Sequence, residues 1–297
     1  MKILDYGSAS LDLVFSVDHI SMPGETISSH KREIFPGGKG LNQAIALAKA
    51  GAEVYFAGII GRDGQMLQDA FCDAGVRTDY LRVSSDAPTG NALIQVDLNG
   101  QNSIVLFAGT NKLHTPEAID QAIAHFGPED ILLMQNEINL VDLVIEKAHA
   151  KGLTIALNPS PFNAALETCD LSKVGIFLLN EVEGEQLTGE REEKQILAAL
   201  GKRFPDARIV LTLGEKGVLY HDRHGDLSQP AFQVTAVDST AAGDTFTGFF
   251  LAAIVRGFAT QEALRVAAMA SAISVCRKGA SSSIPAWDEV EKALADD

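Results

Sequence analysis

The sequence predicts an α/β protein: a doubly wound, mostly parallel sheet with helices on both faces, plus a small antiparallel sheet set over its edge as a lid. Three observations carry this. Apolar runs of strand length recur at residues 54–60, 131–134, 154–157, 176–179 and 209–213, and strands apolar on both faces belong to buried parallel sheets. The stretches between them have helical periodicity and close on glycine, as at 42–50 before Gly51, 66–74 before Gly75 and 141–150 before Gly152. Residues 11–35 and 89–107 instead alternate apolar and polar side chains, the second around an Asn99-Gly100 turn, as half-exposed strands of an antiparallel sheet do.

The two alternating stretches are expected to build the lid from insertions at about 11–36 and 89–107, excluding water from a reaction centre. After about residue 240 the pattern is helical, with 246–255 ending at Gly257 and 261–276 ending near Gly279. No repeat, low-complexity tract or Pro/Ser-rich linker divides the chain, so residues 1–297 read as one domain with an appended lid.

Composition narrows the partners. Lys and Arg number 24 against 39 Asp and Glu, a net charge of −15, which repels polyanions and argues against nucleic-acid binding through a basic face. No run approaches the ~20 apolar residues a membrane span needs. The opening Met1-Lys-Ile-Leu-Asp-Tyr-Gly7 enters a strand pattern without a signal-peptide layout, so the cytoplasm is expected. Cys72, Cys169 and Cys276 form no CxxC pair and are read as buried, reduced thiols rather than a disulfide or zinc framework. His221-Asp-Arg-His224 falls in a hairpin turn and reads as a solvated loop, not a metal site.

The chemistry concentrates near the C-terminal third. Residues 232–238 read as a strand, and Ser239-Thr-Ala-Ala-Gly243 as a small-residue turn opening the helix that holds Asp244. Backbone amides of Ala241, Ala242 and Gly243 would then point out of a helix N-terminus, where phosphoryl charge is stabilised. A carboxylate beside such an anion hole is placed to accept the proton of an attacking hydroxyl. Taken alone, the residues favour the plainer alternative, an acid in a first helical turn.

Other candidates are weaker in isolation. Gly38-Lys39-Gly40 fails as a phosphate-binding Walker A loop, since Glu33 stands where the first glycine should be and Gly40 where Ser or Thr should follow the lysine. Without further information Gly40 is a helix start and Lys39 solvent-exposed. Asp12 is an acid in a strand pattern, where Asp is depleted. Asn180 and Glu183, three apart, fit ordinary helix capping. The loop 212–217 fits a hairpin turn, and Glu137 an exposed acid at a strand end.

Together these motifs resemble a known family. Asp238-Ser-Thr-Ala-Ala-Gly-Asp-Thr-Phe246 is similar to the C-terminal signature of the ribokinase-like, or PfkB, carbohydrate kinases. In matching order come Gly37-Gly38-Lys39-Gly40-Leu-Asn42-Gln-Ala, Asn180-Glu-Val-Glu183, Leu211-Thr-Leu-Gly214-Glu-Lys-Gly217 and Arg277-Lys-Gly279-Ala, so the similarity runs from about residue 5 to 290. The resemblance implies transfer of the γ-phosphate of ATP to a primary hydroxyl of a small sugar, ribose first, with Asp244 as base and Ala241, Ala242 and Gly243 as anion hole.

By the same resemblance Ser10, Asp12, Gly38, Lys39, Gly40, Asn42 and Glu137 hold the sugar. Ser10 departs from the Asn of ribose-directed members, which shortens or loses one amide contact. Asn180 and Glu183 position Mg2+ through water. Asn180, Thr212, Gly214, Gly217, Gly243 and Ala268 form the ATP site, Ala268 replacing a side chain that contacts the base. Asp238, Thr240, Ser274, Arg277, Gly279 and Ser283 form a K+ cage. A homodimer through the lid sheets is also implied. The alternatives are a kinase for another pentose, a ketohexose, 2-keto-3-deoxygluconate or a nucleoside, or a catalytically silent sugar or nucleotide sensor.

Overall fold

The computed structural model describes residues 1–296. In chain order its elements are β1 (Ile3–Tyr6), β2 (Ser10–Ser16), β3 (Lys31–Gly37), α1 (Lys39–Lys49), β4 (Val54–Gly61), α2 (Gln65–Ala74), β5 (Arg77–Ser84), β6 (Gly90–Val96), β7 (Asn102–Phe107), α3 (Pro116–Ile123), β8 (Ile131–Gln135) and α4 (Val141–Ala150). They continue with β9 (Thr154–Asn158), α5 (Ala164–Glu167), β10 (Ile176–Asn180), α6 (Glu181–Thr188), α7 (Glu193–Arg203), β11 (Arg208–Thr212), β12 (Val218–Asp222), β13 (Gly225–Gln229), α8 (Ala242–Val255), α9 (Thr260–Val275) and α10 (Trp287–Ala295).

The main sheet has nine strands in the order β13-β12-β11-β10-β9-β8-β1-β4-β5. All pairs are parallel except β11 with β12 and β12 with β13. Alternate strand residues feed two cores, one on each face. Ile3, Phe56, Leu133 and Val210 pack toward the side of α1, α8 and α9, while Leu4, Met134, Leu179 and Leu211 pack toward α3, α4 and α7. This two-sided burial is why the strands carry continuous apolar runs. No helix among the described residues is long and apolar enough to cross a membrane.

Helix α8 lies directly on α1. A Cβ built on Gly248 would stand 2.4 Å from the Cβ of Ala46, so only glycine admits this approach. The contact lies one turn beyond Asp244 on α8 and one turn beyond Asn42 on α1.

The four-stranded lid has the order β3-β2-β6-β7. Its outer pairs are antiparallel, but β2 and β6 run parallel, which corrects the antiparallel lid expected. Each insertion is a hairpin whose outgoing strand follows a parallel strand of the main sheet, so the two outgoing strands rise together and pair side by side. Alternation reports half-exposure and carries no information on direction.

Two further expectations are corrected. Residues 232–238 form no strand; β13 already ends the sheet, and the amides of Val237 and Asp238 both donate to the carbonyl of Val275 at the end of α9. Cys72 and Cys276 are exposed rather than buried, although all three cysteines are free. Strand β5, mostly polar and at the sheet edge, lies outside the apolar runs that mark the buried strands.

Candidate active site

The chain passes from β1 to β4 on one side and later returns as β8 on the other. Strand order therefore reverses at β1, and in doubly wound sheets ligands bind in the crevice beyond the strand carboxyl ends at such a point. Ser8, Ser10 and Asp12 follow β1 into this crevice, and Glu137 follows β8. The N-termini of α1 and α8 converge on it.

Asp244, in the first turn of α8, is 9% exposed. Asn42 Nδ2 donates to its Oδ2 at 3.1 Å and Gln43 Nε2 to its Oδ1 at 2.8 Å. Asn42, expected to hold the sugar, thus gives its amide nitrogen to the carboxylate, while its own Oδ1 is buried with no partner among the described residues. Ala241 adopts a left-handed conformation with φ 60° as it caps α8. Of the three expected anion-hole amides, that of Ala242 is taken by the carbonyl of Ser239 at 3.2 Å, a tight turn that closes before the helix begins. Those of Ala241 and Gly243 donate to no group among the described residues.

The other side of the crevice is acidic. Glu137 Oε2 accepts from the Lys39 amide at 3.1 Å and from the Ser8 hydroxyl, so this acid caps α1 rather than standing free at a strand end. Burial and then the nearby Glu137 charge push the Asp12 carboxyl up to about 6. Ser10 Oγ accepts from Asn111 Nδ2 at 3.1 Å. Lys39 is half-buried, not solvent-exposed. Burial disfavours its ammonium, but the carboxylates of Asp244, Glu137 and Glu183 outweigh this and hold its pKa above the ordinary lysine value. Gly38, with φ 93°, precedes the helix, and a Cβ on Gly40 would lie 2.6 Å from the Ser8 amide. The glycines here admit the β1–β2 connection against α1.

On the far side of Asp244 opens a cleft of about 480 Å³, lined among others by Asn180, Thr212, Gly214, Gly217, Gly243 and Ala268. All six residues expected at the nucleotide are thereby brought together. Gly217, with φ 101°, turns β11 into β12, and a Cβ there would meet the Gln229 carbonyl at 2.1 Å. The hairpin and the ligand-facing loop are the same structure. Asn180 and Glu183 form a reciprocal capping box, Glu183 N to Asn180 Oδ1 at 2.9 Å and Asn180 N to Glu183 Oε2 at 3.0 Å.

Of the remaining candidates, Asp238, Thr240 and Gly279 meet at one corner. Asp238 Oδ1 accepts from the amide and hydroxyl of Thr240 at 2.9 and 2.6 Å, and its Oδ2 from the Gly279 amide at 3.0 Å. These bonds outweigh burial and hold its carboxyl below the ordinary value. They join the 238–240 turn to the 277–283 loop, where the Ser283 hydroxyl donates to the Ala280 carbonyl at 2.8 Å. Ser274 closes onto Ser271, and Arg277 turns outward to Glu289.

Sequence reasoning missed Ser8, Gln43, Asn111, Gln135 and Asp5, all polar and all enclosed at this junction. Gln43 directly follows Asn42 in the glycine-rich motif, but nothing in its spacing marked it as a partner of a residue 201 positions away.

A doubly wound sheet with a lid, a carboxylate at a helix N-terminus, and a nucleotide-sized cleft beside it define a phosphoryl-transfer enzyme. Residues 2–287 match the pfkB family carbohydrate kinase profile. The chain belongs to this family and is a carbohydrate kinase. It is 39% identical over 296 residues to the ribokinase of Haemophilus influenzae, covering 97% of this chain and 96% of that one. The ribokinase of Cryptococcus neoformans solved with ADP superposes with a TM-score of 0.87 at 34% identity, over 99% of each chain. That of Arabidopsis thaliana, solved with ribose and ATP, gives 0.86 at 32% identity, over 99% of this chain and 98% of that one.

Proposed function

We propose that the protein phosphorylates the primary hydroxyl of ribose with ATP. The observation that carries this is the placement of Asp244, clamped by two amides at the N-terminus of α8, between the cleft of Thr212 and Gly217 and the crevice of Ser10, Asp12 and Glu137. Among the relatives that share the whole fold are ribokinases, one of them solved with ribose and ATP. Asp12 and Glu137 accept hydrogen bonds from the secondary hydroxyls, the free Oδ1 of Asn42 takes another, and Lys39 sits among the carboxylates as a neutralising cation.

As the alcohol oxygen attacks the γ-phosphorus, Asp244 accepts its proton and the bond to the β-phosphate oxygen breaks, releasing ADP. The free amides of Ala241 and Gly243 stabilise the transferring group. Mg2+ fits as an ion held chiefly by phosphates and water. No cluster of three acids or histidines that could hold it directly exists among the described residues, and Glu183 keeps one carboxylate oxygen outside its capping box. Such an ion supplies charge neutralisation on the phosphates. A K+ ion at the Asp238, Thr240, Gly279 and Ser283 corner draws support from the bond that joins the two loops.

The exposed apolar strand β7 supports a homodimer through the lids. The three unpaired cysteines and the need for ATP support work in the cytoplasm. The described residues, 1–296, act as one domain with the lid as appendage.

The decisive experiment measures ADP release with ribose, 2-deoxyribose, fructose, 2-keto-3-deoxygluconate and nucleosides, in Mg2+ and K+ buffer. Ribose should give the highest kcat/KM. A higher value for another acceptor reassigns the substrate, and silence across the panel identifies a sensor. Ser10 makes 2-deoxyribose the acceptor to watch, since a short hydroxyl contact penalises a missing sugar hydroxyl less than an amide does.

A further inference from the structure

The clamp on Asp244 continues inward. Gln43 Oε1 accepts from Gln135 Nε2 at 2.7 Å, and the same Gln135 nitrogen donates to Asp5 Oδ1 at 3.1 Å. Asp5, Gln43 and Gln135 are 0%, 0% and 1% exposed. The chain of bonds crosses four elements, from the middle of β1 through the last residue of β8 and the start of the second turn of α1 to the first turn of α8.

We propose that Asp5, Gln135 and Gln43 form a positioning relay that fixes the carboxylate plane of Asp244 to the central strands of the sheet. The proposal rests on the reading of Asp244 as base. A carboxylate turns easily about its last side-chain bond, and Asn42 alone holds only one of its oxygens. The second donor, from Gln43, locks the plane. Gln43 in turn delivers its nitrogen to Asp244 only while its own oxygen is occupied, which Gln135 ensures, and Gln135 is oriented by Asp5. Asp5 Oδ2 and Gln135 Oε1 are buried without a partner among the described residues, so the hold on Gln43 rests on the two bonds that Gln135 Nε2 donates. Charged groups bearing on the relay are Lys39 from α1, which faces Asp244, and Asp244 itself facing Asp5. Burial above all holds the Asp5 carboxyl well above the ordinary range, with Gln135 opposing and Asp244 reinforcing. Asp5 Oδ1 is the acceptor that orients the Gln135 amide.

The test compares Gln43→Leu, Gln135→Met, Asp5→Leu, Asp5→Asn and Asp244→Asn by steady-state kinetics, each checked for a cooperative melting transition. Gln43→Leu should lower kcat roughly 10- to 100-fold, the scale of a small misplacement of a reacting group, with KM for sugar and ATP held within about threefold. Gln135→Met and Asp5→Leu should lower kcat by roughly 3- to 10-fold, and Asp5→Asn, which keeps the acceptor, should restore the value that Asp5→Leu loses. Wild-type kcat in Gln43→Leu, or a raised sugar KM at unchanged kcat, overturns the relay. If Gln43→Leu does not fold, Gln135→Met decides in its place, and wild-type kcat there overturns the relay equally. Failure of Asp5→Asn to rescue removes Asp5 from it. Full turnover in Asp244→Asn would instead refute the base assignment, so the two failures are separable.

Discussion

At Asp244 two amide donors meet one carboxylate, and the loss of that carboxylate has a definite expected cost. Asp244→Asn should cut kcat by roughly 10²–10⁴ while ATP affinity, measured by calorimetry, stays close to wild type. Asp12 carries a second prediction. Its carboxyl titrates at about 6 in the folded protein against an ordinary 3.8. Between those values the folded state holds a proton that the unfolded chain has released, so Asp12's contribution to stability is complete at low pH and lost as pH rises through about 6. Asp12→Asn should therefore raise the unfolding free energy at pH 8 by roughly 1–2 kcal/mol, discounted for partial exposure, as read by urea denaturation. The same proton predicts that KM for the sugar in the wild type climbs as pH falls below about 6, because a protonated Asp12 no longer accepts two hydroxyl hydrogen bonds. A flat KM between pH 5 and 8 would exclude Asp12 from sugar binding.

Among the elements, the α1–α8 contact has the sharpest consequence. Gly248→Ala sets a methyl 2.4 Å from that of Ala46, forcing the helices apart at a destabilisation of roughly 1–3 kcal/mol. It should also lower kcat, since Asn42 and Gln43 ride on one helix and Asp244 on the other. Retained stability in a urea titration would mean that α8 can slide. The elements were also where the sequence was most legible. The runs at 131–134 and 176–179 and the helix at 141–150 lie within or on the observed elements, because burial on both faces leaves a strong apolar signal. What stayed hidden depends on neighbours remote in sequence: the parallel pairing of β2 with β6, the helix-end partner of residues 237–238, and the polar relay behind Asp244. The nucleotide candidates were legible as ordered motifs and do gather at one cleft. The tight turn at Ser239 that consumes the Ala242 amide was not, since backbone bonding inside a small-residue turn leaves no trace in composition.

For the whole molecule, the lid is the exposed liability. Val105 and Leu106 on edge strand β7 are 64% and 68% exposed, with Ile104 and Phe107 beside them. An open apolar edge of this kind is covered by a second lid in the proposed dimer. Leu106→Lys should shift the wild-type dimer to monomer in analytical ultracentrifugation at micromolar concentration, leaving the melting temperature within a few degrees. A wild-type monomer under those conditions would end the dimer reading.

The lid also divides the molecule's inheritance. Ser10 and Asp12 lie on β2, a lid strand, whereas Asp244 and the nucleotide cleft belong entirely to the helices and loops of the main sheet. On the proposed reading, the first inserted hairpin brings Ser10 and Asp12 to the acceptor, while Asn42, Lys39 and Glu137 meet it from the body that also carries the phosphoryl machinery. Changes in the first hairpin can therefore alter two of the acceptor's contacts while leaving Asp244 and the nucleotide cleft untouched.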